Sequence, residues 1–285
     1  VRLSIIRFFT ALLLLGLSPL HAALPPHSAA VPGGVTVVDL GAAAGTAPVA
    51  HYQKKRVMVV EADGRWQAVV GIPLSAEPGR HQLKLKGRKP AAFQVTAKNY
   101  AEQRITIKDK RKVNPHQQDL KRIRAERGRI NSALRQWTPQ DTVETRFSLP
   151  VAGELSSPFG LRRYFNEQPR KPHSGIDIAA PEGTPIHAPA AGKIIERGDF
   201  FFNGNTVFID HGQGLVTMYC HMSRIAVKPG QSVQQGEVIG AVGMTGRVTG
   251  PHLHWGVSLN DARVDPTLFF DDFASLLAPK TAKHP

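Results

Sequence analysis

Hydrophobic and polar positions change rhythm twice along the 285-residue chain. From Val35 to about Lys108 the apolar positions fall in short β-branched or alternating runs, at residues 56–61, 66–70, 81–85, 93–96 and 104–107. Asp63-Gly64, Glu77-Pro78-Gly79 and residues 87–90 separate these runs as turns, so the region predicts a small β-sandwich. The rhythm then lengthens. Leu120, Ile123, Ile130, Leu134 and Trp137 recur at helical spacing on one face, with Asn114 as a cap, Pro115 in the first turn and Pro139 beyond the end. Arg127 stands on that face where another apolar residue is expected. From Phe147 to Phe270 strand patterns return, now rich in glycine, and are clearest at residues 207–210, 216–221, 238–242 and 252–257. The fold class is therefore mainly β. An accessory β domain spans 23–110, a helical connector 111–138, a second β domain 139–270, and a loosely held tail 271–285.

The first 22 residues follow a different logic. Arg2 and Arg7 precede an apolar stretch from Phe8 to Leu17, and Pro19 to Ala23 offers a small-residue exit. This is the pattern of an export signal, and its apolar core is short for a bilayer span. The working compartment expected from it is the periplasm or cell envelope. Cys220 is the single cysteine, so core packing and bound metal must supply the stability that disulfides lend many exported proteins.

Apolar residues make up 41% and charged residues 20%, a globular composition that excludes wholesale disorder. The net charge of +14 is unevenly spread: residues 80–135 hold 17 Lys/Arg against 4 Asp/Glu, which leaves +1 for all the rest. Such a concentrated field suits docking onto anionic cell-envelope polymers, or forms a solvated face without a partner. Export argues against nucleic acid.

Four segments carry candidate chemistry: residues 173–177, 219–221, 243–250 and 251–254. Alternate side chains of a strand share a face, so His252 and His254 point the same way, as do Tyr219 and His221, and His173 agrees in parity with Asp177. Two imidazoles and one carboxylate on Zn²⁺ leave one coordination position open, where a water becomes a nucleophile at neutral pH. A packed strand tyrosine is the preferred reading of Tyr219, and a small buried hydrophobe that of Cys220, which parity turns away from His221. His211 and residues 203–205 read as turn chemistry and His187 as structural. Arg162 either orients substrate or braces the loop before His173.

Taken together and in order, Ser157-Pro158-Phe159-Gly160-Leu161-Arg162, His173-Ser174-Gly175-Ile176-Asp177, residues 188–192, Tyr219-Cys220-His221 and residues 243–255 closely resemble the lysostaphin-type (LytM) metallopeptidase family. The resemblance covers residues 153–269. It implies a mostly antiparallel β-sheet with zinc in a groove, and hydrolysis of peptide cross-links in bacterial peptidoglycan. It further implies that His173, Asp177 and His254 are the zinc ligands and that His221 and His252 are the catalytic histidines. One of those two is the general base and the other the oxyanion partner, in an order that spacing leaves open. Similar Gram-negative members cut D-alanyl–diaminopimelyl bonds, whereas others cut glycine bridges. Two other readings compete: a non-catalytic regulator, and a carrier module suggested by the 227–239 hairpin but lacking a lysine in its turn. Residues 164–172 and 200–204 are expected to wall the groove, and the accessory domain to cover it if the enzyme is latent.

Overall fold

The structure, a computed structural model, describes residues 24–273. The expected export signal and nearly all of the expected tail lie outside them. Among the described residues no helix is long and apolar enough to cross a membrane.

Six strands build the accessory domain: β1 (Val35–Ala42), β2 (Ala50–Tyr52), β3 (Lys55–Ala62), β4 (Arg65–Gly71), β5 (Gly79–Leu85) and β6 (Ala91–Val95). They form one antiparallel sheet in the order β1-β4-β3-β2-β5-β6. Its outer members β1 and β6 approach one another, so the expected sandwich is realised as a single sheet curled on itself. The Val57-Met58-Val59-Val60 run explains how it is placed. Val57 and Val59 point into the curl with Ala50, Ala68, Val70 and Leu83. Met58 and Val60, with Val69 of β4, point outward into the core of the second domain. A strand buried on both faces needs apolar residues at every position, and this run supplies them. Asp63 and Gly64, both at positive φ, make the tight β3–β4 turn that the sequence indicated.

The chain then leaves this sheet earlier than the boundary at 110 supposes. β7 (Glu102–Ile105) pairs in parallel with β9 (Arg162–Phe165) of the second domain, after which α1 (Gln117–Leu134) follows. His116 caps this helix instead of Asn114, and the Asp119 carboxylate accepts from the His116 backbone N–H at 3.1 Å. Leu134 is buried and Ile130 half-buried, both against Phe200, Phe208 and Met218, as the apolar stripe predicted. Leu120 and Ile123 are less covered. Ion pairs hold the helix down: Arg129 to Glu196 at 2.8 Å, Arg122 to Asp199 at 3.1 Å and, just past the helix end, Arg135 to Asp261 at 3.1 Å. These three arginines of the basic stretch fasten the helix to the second domain, while Arg80, Lys84, Lys86, Arg88 and Lys89 remain exposed around the β5–β6 hairpin.

The second domain contains β8 (Glu154–Ser157), β9, β10 (Gln168–Pro169), β11 (Ile176–Ala179), β12 (Pro185–His187), β13 (Gly192–Phe200), β14 (Gly204–Gly212) and β15 (Leu215–Met222). It continues with β16 (Arg224–Ile225), β17 (Ser232–Val233), β18 (Val238–Ala241), β19 (His252–Leu259) and β20 (Ala262–Val264). Its main sheet runs β17-β13-β14-β15-β19-β11-β8 with β20 on β19, and β12-β18-β16 form a small side sheet. Every pairing in these two sheets is antiparallel. Trp255, Tyr219, Phe269, Ile176 and Ile178 are fully buried on one face. The two domains also share backbone partners. Asn260 accepts from Gly71 N at 2.7 Å and donates to Gly71 O at 2.9 Å, and Gln213 accepts from Val59 N at 3.0 Å. A side chain at Gly71 would meet Leu259 O at 2.6 Å, so this close approach requires glycine.

His211 lies at the end of β14 and not in the turn. It is buried between Ala191 O and Thr217 Oγ1, each at 2.8 Å. Burial pulls its pKa down to about 4 from 6.5, so it is neutral in the fold. The unfolded chain protonates this group first as pH falls, so its contribution to stability is lost between pH 6.5 and 4. His211→Gln removes that dependence. Urea unfolding at pH 7 and pH 5 should show the variant losing about 2 kcal/mol less than the parent; equal losses would rule out a buried neutral imidazole.

Candidate metal centre and groove

The register between β11 and β19 sets the centre, because it places Asp177 opposite His254 and Ala179 opposite His252. The Asp177 Oδ1 lies 2.7 Å from His254 Nδ1. His173 enters from the loop before β11, its Nε2 3.0 Å from Asp177 Oδ1 and 3.0 Å from His254 Nδ1. The loop passes so close to β19 that a side chain at Gly175 would meet Trp255 O at 2.4 Å, which explains the glycine between the two ligand candidates. His173 and Asp177 are buried. Two imidazole nitrogens and a carboxylate oxygen thus converge where each can give one ligand atom to a metal, and this mixed nitrogen–oxygen set fits Zn²⁺ better than Mg²⁺ or Ca²⁺. His173 Nδ1 donates to Pro158 O at 2.8 Å, which leaves its Nε2 lone pair facing the cluster.

Burial opposes the charge on Asp177, but the hydrogen bonds to His173 and His254 outweigh it and hold the carboxyl well below its usual range. Burial likewise lowers His254 to about 4, so its imidazole is neutral and available to a cation. The second Asp177 oxygen accepts from Arg163 Nη2 at 2.7 Å. Arg163 also donates to Ser157 Oγ and to Gln103 Oε1, each at 2.9 Å. Gln103 belongs to β7, so the parallel β7–β9 pair carries an upstream residue to the carboxylate at the centre. Sequence reasoning considered Arg162 and missed Arg163 and Gln103. Arg162 is exposed and reaches Glu102 at 3.2 Å. The available signal was that adjacent strand residues face opposite ways, so one of the two arginines had to turn inward.

His221 and His252 stand beside the cluster with ring centroids 4.9 Å apart, and His252 Nε2 is 4.0 Å from Asp177 Oδ1. Each donates Nδ1–H to a backbone carbonyl, His221 to Thr245 O at 2.8 Å and His252 to Gly250 O at 2.9 Å. Both therefore keep Nε2 free to accept a proton when neutral. Burial, reinforced by His252 and His254, lowers His221 to about 3. The strand-parity argument fails here. His221 has φ of 64°, a left-handed conformation that interrupts alternation, and its N–H is held by Asn203 O at 2.8 Å. Cys220 and His221 consequently both border the groove. Tyr219 is wholly buried in the core with its hydroxyl 2.9 Å from Thr217 Oγ1, the packed position expected of it. Burial pushes the Cys220 thiol up to about 12, so it stays protonated. His187, half-buried on β12, stands apart from the centre.

His173, His221 and His254 line a cavity of about 700 Å³. Arg170 and Lys171 from the 164–172 segment wall it, as do Phe202 and Asn203 from the 200–204 loop. The fourth side is α1, through Ile123, Arg127 and Ile130. The inward position of Arg127 on the apolar stripe is thus a groove position.

Residues 171–266 match peptidase family M23, and residues 28–98 match the peptidase family M23 N-terminal domain. A crystal structure from Pseudomonas aeruginosa assigned to peptidase M23 is 49% identical, covers 87% of this chain and 98% of its own, and superposes with a TM-score of 0.74. The DD-carboxypeptidase/endopeptidase Mpg of Neisseria meningitidis is 46% identical over 116 residues, 41% of this chain and 27% of that protein. Peptidoglycan DD-endopeptidase ShyC of Vibrio cholerae is 43% identical over 122 residues, 39% of this chain and 28% of that protein. The match thus spans little more than a quarter of these curated relatives. With its two M23 segments, its near-complete overlap with the Pseudomonas structure and its histidine–aspartate cluster, the chain belongs to peptidase family M23, the LytM-type zinc metallopeptidases.

Proposed function

We propose that this protein is a zinc-dependent endopeptidase that hydrolyses peptide cross-links of bacterial peptidoglycan in the cell envelope, at D-alanyl–diaminopimelyl bonds. The observation that carries the reading is the buried His173–Asp177–His254 cluster on the floor of a groove, flanked by two imidazoles whose Nε2 atoms are free. The Mpg and ShyC names support the substrate and the bond.

In this reading His173, Asp177 and His254 hold the metal, and Arg163 keeps the Asp177 carboxylate oriented towards it. A zinc ion held there would supply Lewis acidity for a bound water and the scissile carbonyl. His221 and His252 divide the remaining work: one accepts the water proton at Nε2 as the new C–O bond forms, and the other, protonated, donates to the developing oxyanion. The accepted proton then passes to the departing amine as the C–N bond breaks. The groove walls exclude water and align the peptide. Hydrolysis is assigned to residues 139–270, with the 111–138 connector walling the groove and the 23–110 segment bracing Arg163 through Gln103. The exposed basic hairpin of β5 and β6 offers a surface for anionic envelope polymers.

His254→Ala should lose both zinc, measured by elemental analysis of the purified chain, and activity. His221→Ala should keep its zinc while turnover falls by roughly two to four powers of ten; loss of metal from that variant would place His221 among the ligands and overturn the assignment. Arg163→Met should weaken zinc binding about 10- to 100-fold in chelator competition, the usual cost of removing a group that orients a metal ligand. Mass analysis of fragments released from purified sacculi, with and without chelator, tests the whole reading. The expected fragments end in D-alanine at the cleaved bond and vanish with chelator. Release of none would favour a non-catalytic regulator.

A further inference from the structure

The groove continues past the metal centre to an arginine that the hydrolytic scheme does not use. Arg263, on β20, pairs across the ladder with Ser258 of β19 and borders the same cavity as His173, His221 and His254. Its guanidinium makes no hydrogen bond and no ion pair among the described residues. The acid nearest in sequence, Asp261, is taken by Lys55 and by Arg135 at 3.1 Å. The other enclosed arginines of the groove are provided for. Arg163 clamps Asp177. Arg247 is stacked between Phe165 at 4.7 Å and Phe202 at 4.6 Å and donates to Lys112 O at 3.3 Å. Enclosure pulls the Arg263 pKa down to about 10, and the attraction of Cys220 and Asp261 offsets this only in part. A poorly solvated cation without a directly bonded counter-charge is unfavourable, and a guanidinium presents a planar fork matched to a carboxylate.

The surroundings point the same way. Ser258, whose side chain shares the face of its cross-strand partner Arg263, has a buried hydroxyl that also lacks a partner. Among the described residues Glu126 is the one carboxylate on the cavity wall besides the histidine–aspartate cluster, and it is already bound to Arg122 and to Phe201 N. His254, Gly256 and Ser258 lie on one face of β19, and the Met218 side chain packs beside Gly256 on that face. Arg263 acts electrostatically on Cys220, the cross-strand partner of His254, so its charge reaches back towards the cluster.

We propose that Arg263 forms a carboxylate-binding subsite in the groove that selects peptides carrying a free carboxylate close to the scissile bond. The proposal rests on the endopeptidase reading for the identity of the peptide, but the subsite itself is defined by binding. The test uses the zinc-loaded full chain and an uncross-linked tetrapeptide with free carboxylates, compared by titration calorimetry with the same peptide fully amidated. The parent should bind the acid form at least tenfold more tightly. Arg263→Met should bind both forms about equally, and Arg263→Lys should fall between, because it keeps the charge and loses the fork. Arg263→Met should also melt at or above the parent temperature, since it replaces an unpaired cation by an apolar side chain of similar length. A parent that does not discriminate, a preference that survives in Arg263→Met, or a melting point lowered by several degrees would each overturn the subsite. A preserved acid preference with no fragments released from sacculi would instead leave the subsite standing and remove the hydrolase reading.

Discussion

The antiparallel ladder between β11 and β19 is the constraint from which the site follows. Asp177 and His254 face each other across it, and His252 lies two residues along on the same face. A slip of one residue would turn Asp177 to the opposite face and leave His254 without its carboxylate partner. The register is held from below by Trp255, Leu253, Ile176 and Ile178, whose burial on the other face cannot be exchanged for exposure without losing core. The same alternation that fills the core therefore aims Asp177 and His254 at one point, and packing energy and site geometry are two consequences of one pleat.

The accessory domain takes part in this arrangement. Met58, Val60 and Val69 extend the core of the second domain, and the Asn260–Gly71 amide pair ties β4 to the end of β19. Further along, β7 crosses over to lie beside β9 and delivers Gln103 to Arg163, and through it to Asp177. The upstream segment is thus linked to the metal centre by a chain of direct hydrogen bonds. The connector helix adds a wall to the groove, fastened by arginines whose carboxylate partners lie on the second domain.

Charge is distributed according to use. Along α1, Arg122 and Arg129 are engaged in ion pairs to the neighbouring strand β13. On the β5–β6 hairpin the charge is presented to solvent. Inside the groove Arg127, Arg170, Lys171, Arg247 and Arg263 outnumber the acids that could balance them, and this biases the cavity towards anionic ligands before any specific contact is made.

The sequence by itself determined the mainly β class, the helix between two strand-rich segments and the histidines and aspartate that the fold brings together. Strand and helix periodicities are local, and so are the glycines and motif residues that the backbone demands at close approaches such as Gly175. Sequence did not determine which of Arg162 and Arg163 turns inward, that Cys220 and His221 border one groove, or that β7 leaves its own sheet. The left-handed backbone at His221 breaks the alternation on which the parity argument depended, and the partner of β7 lies some sixty residues away in the chain. Only the tertiary structure settles such matters, because register and long-range strand pairing arise from contacts that no local pattern encodes.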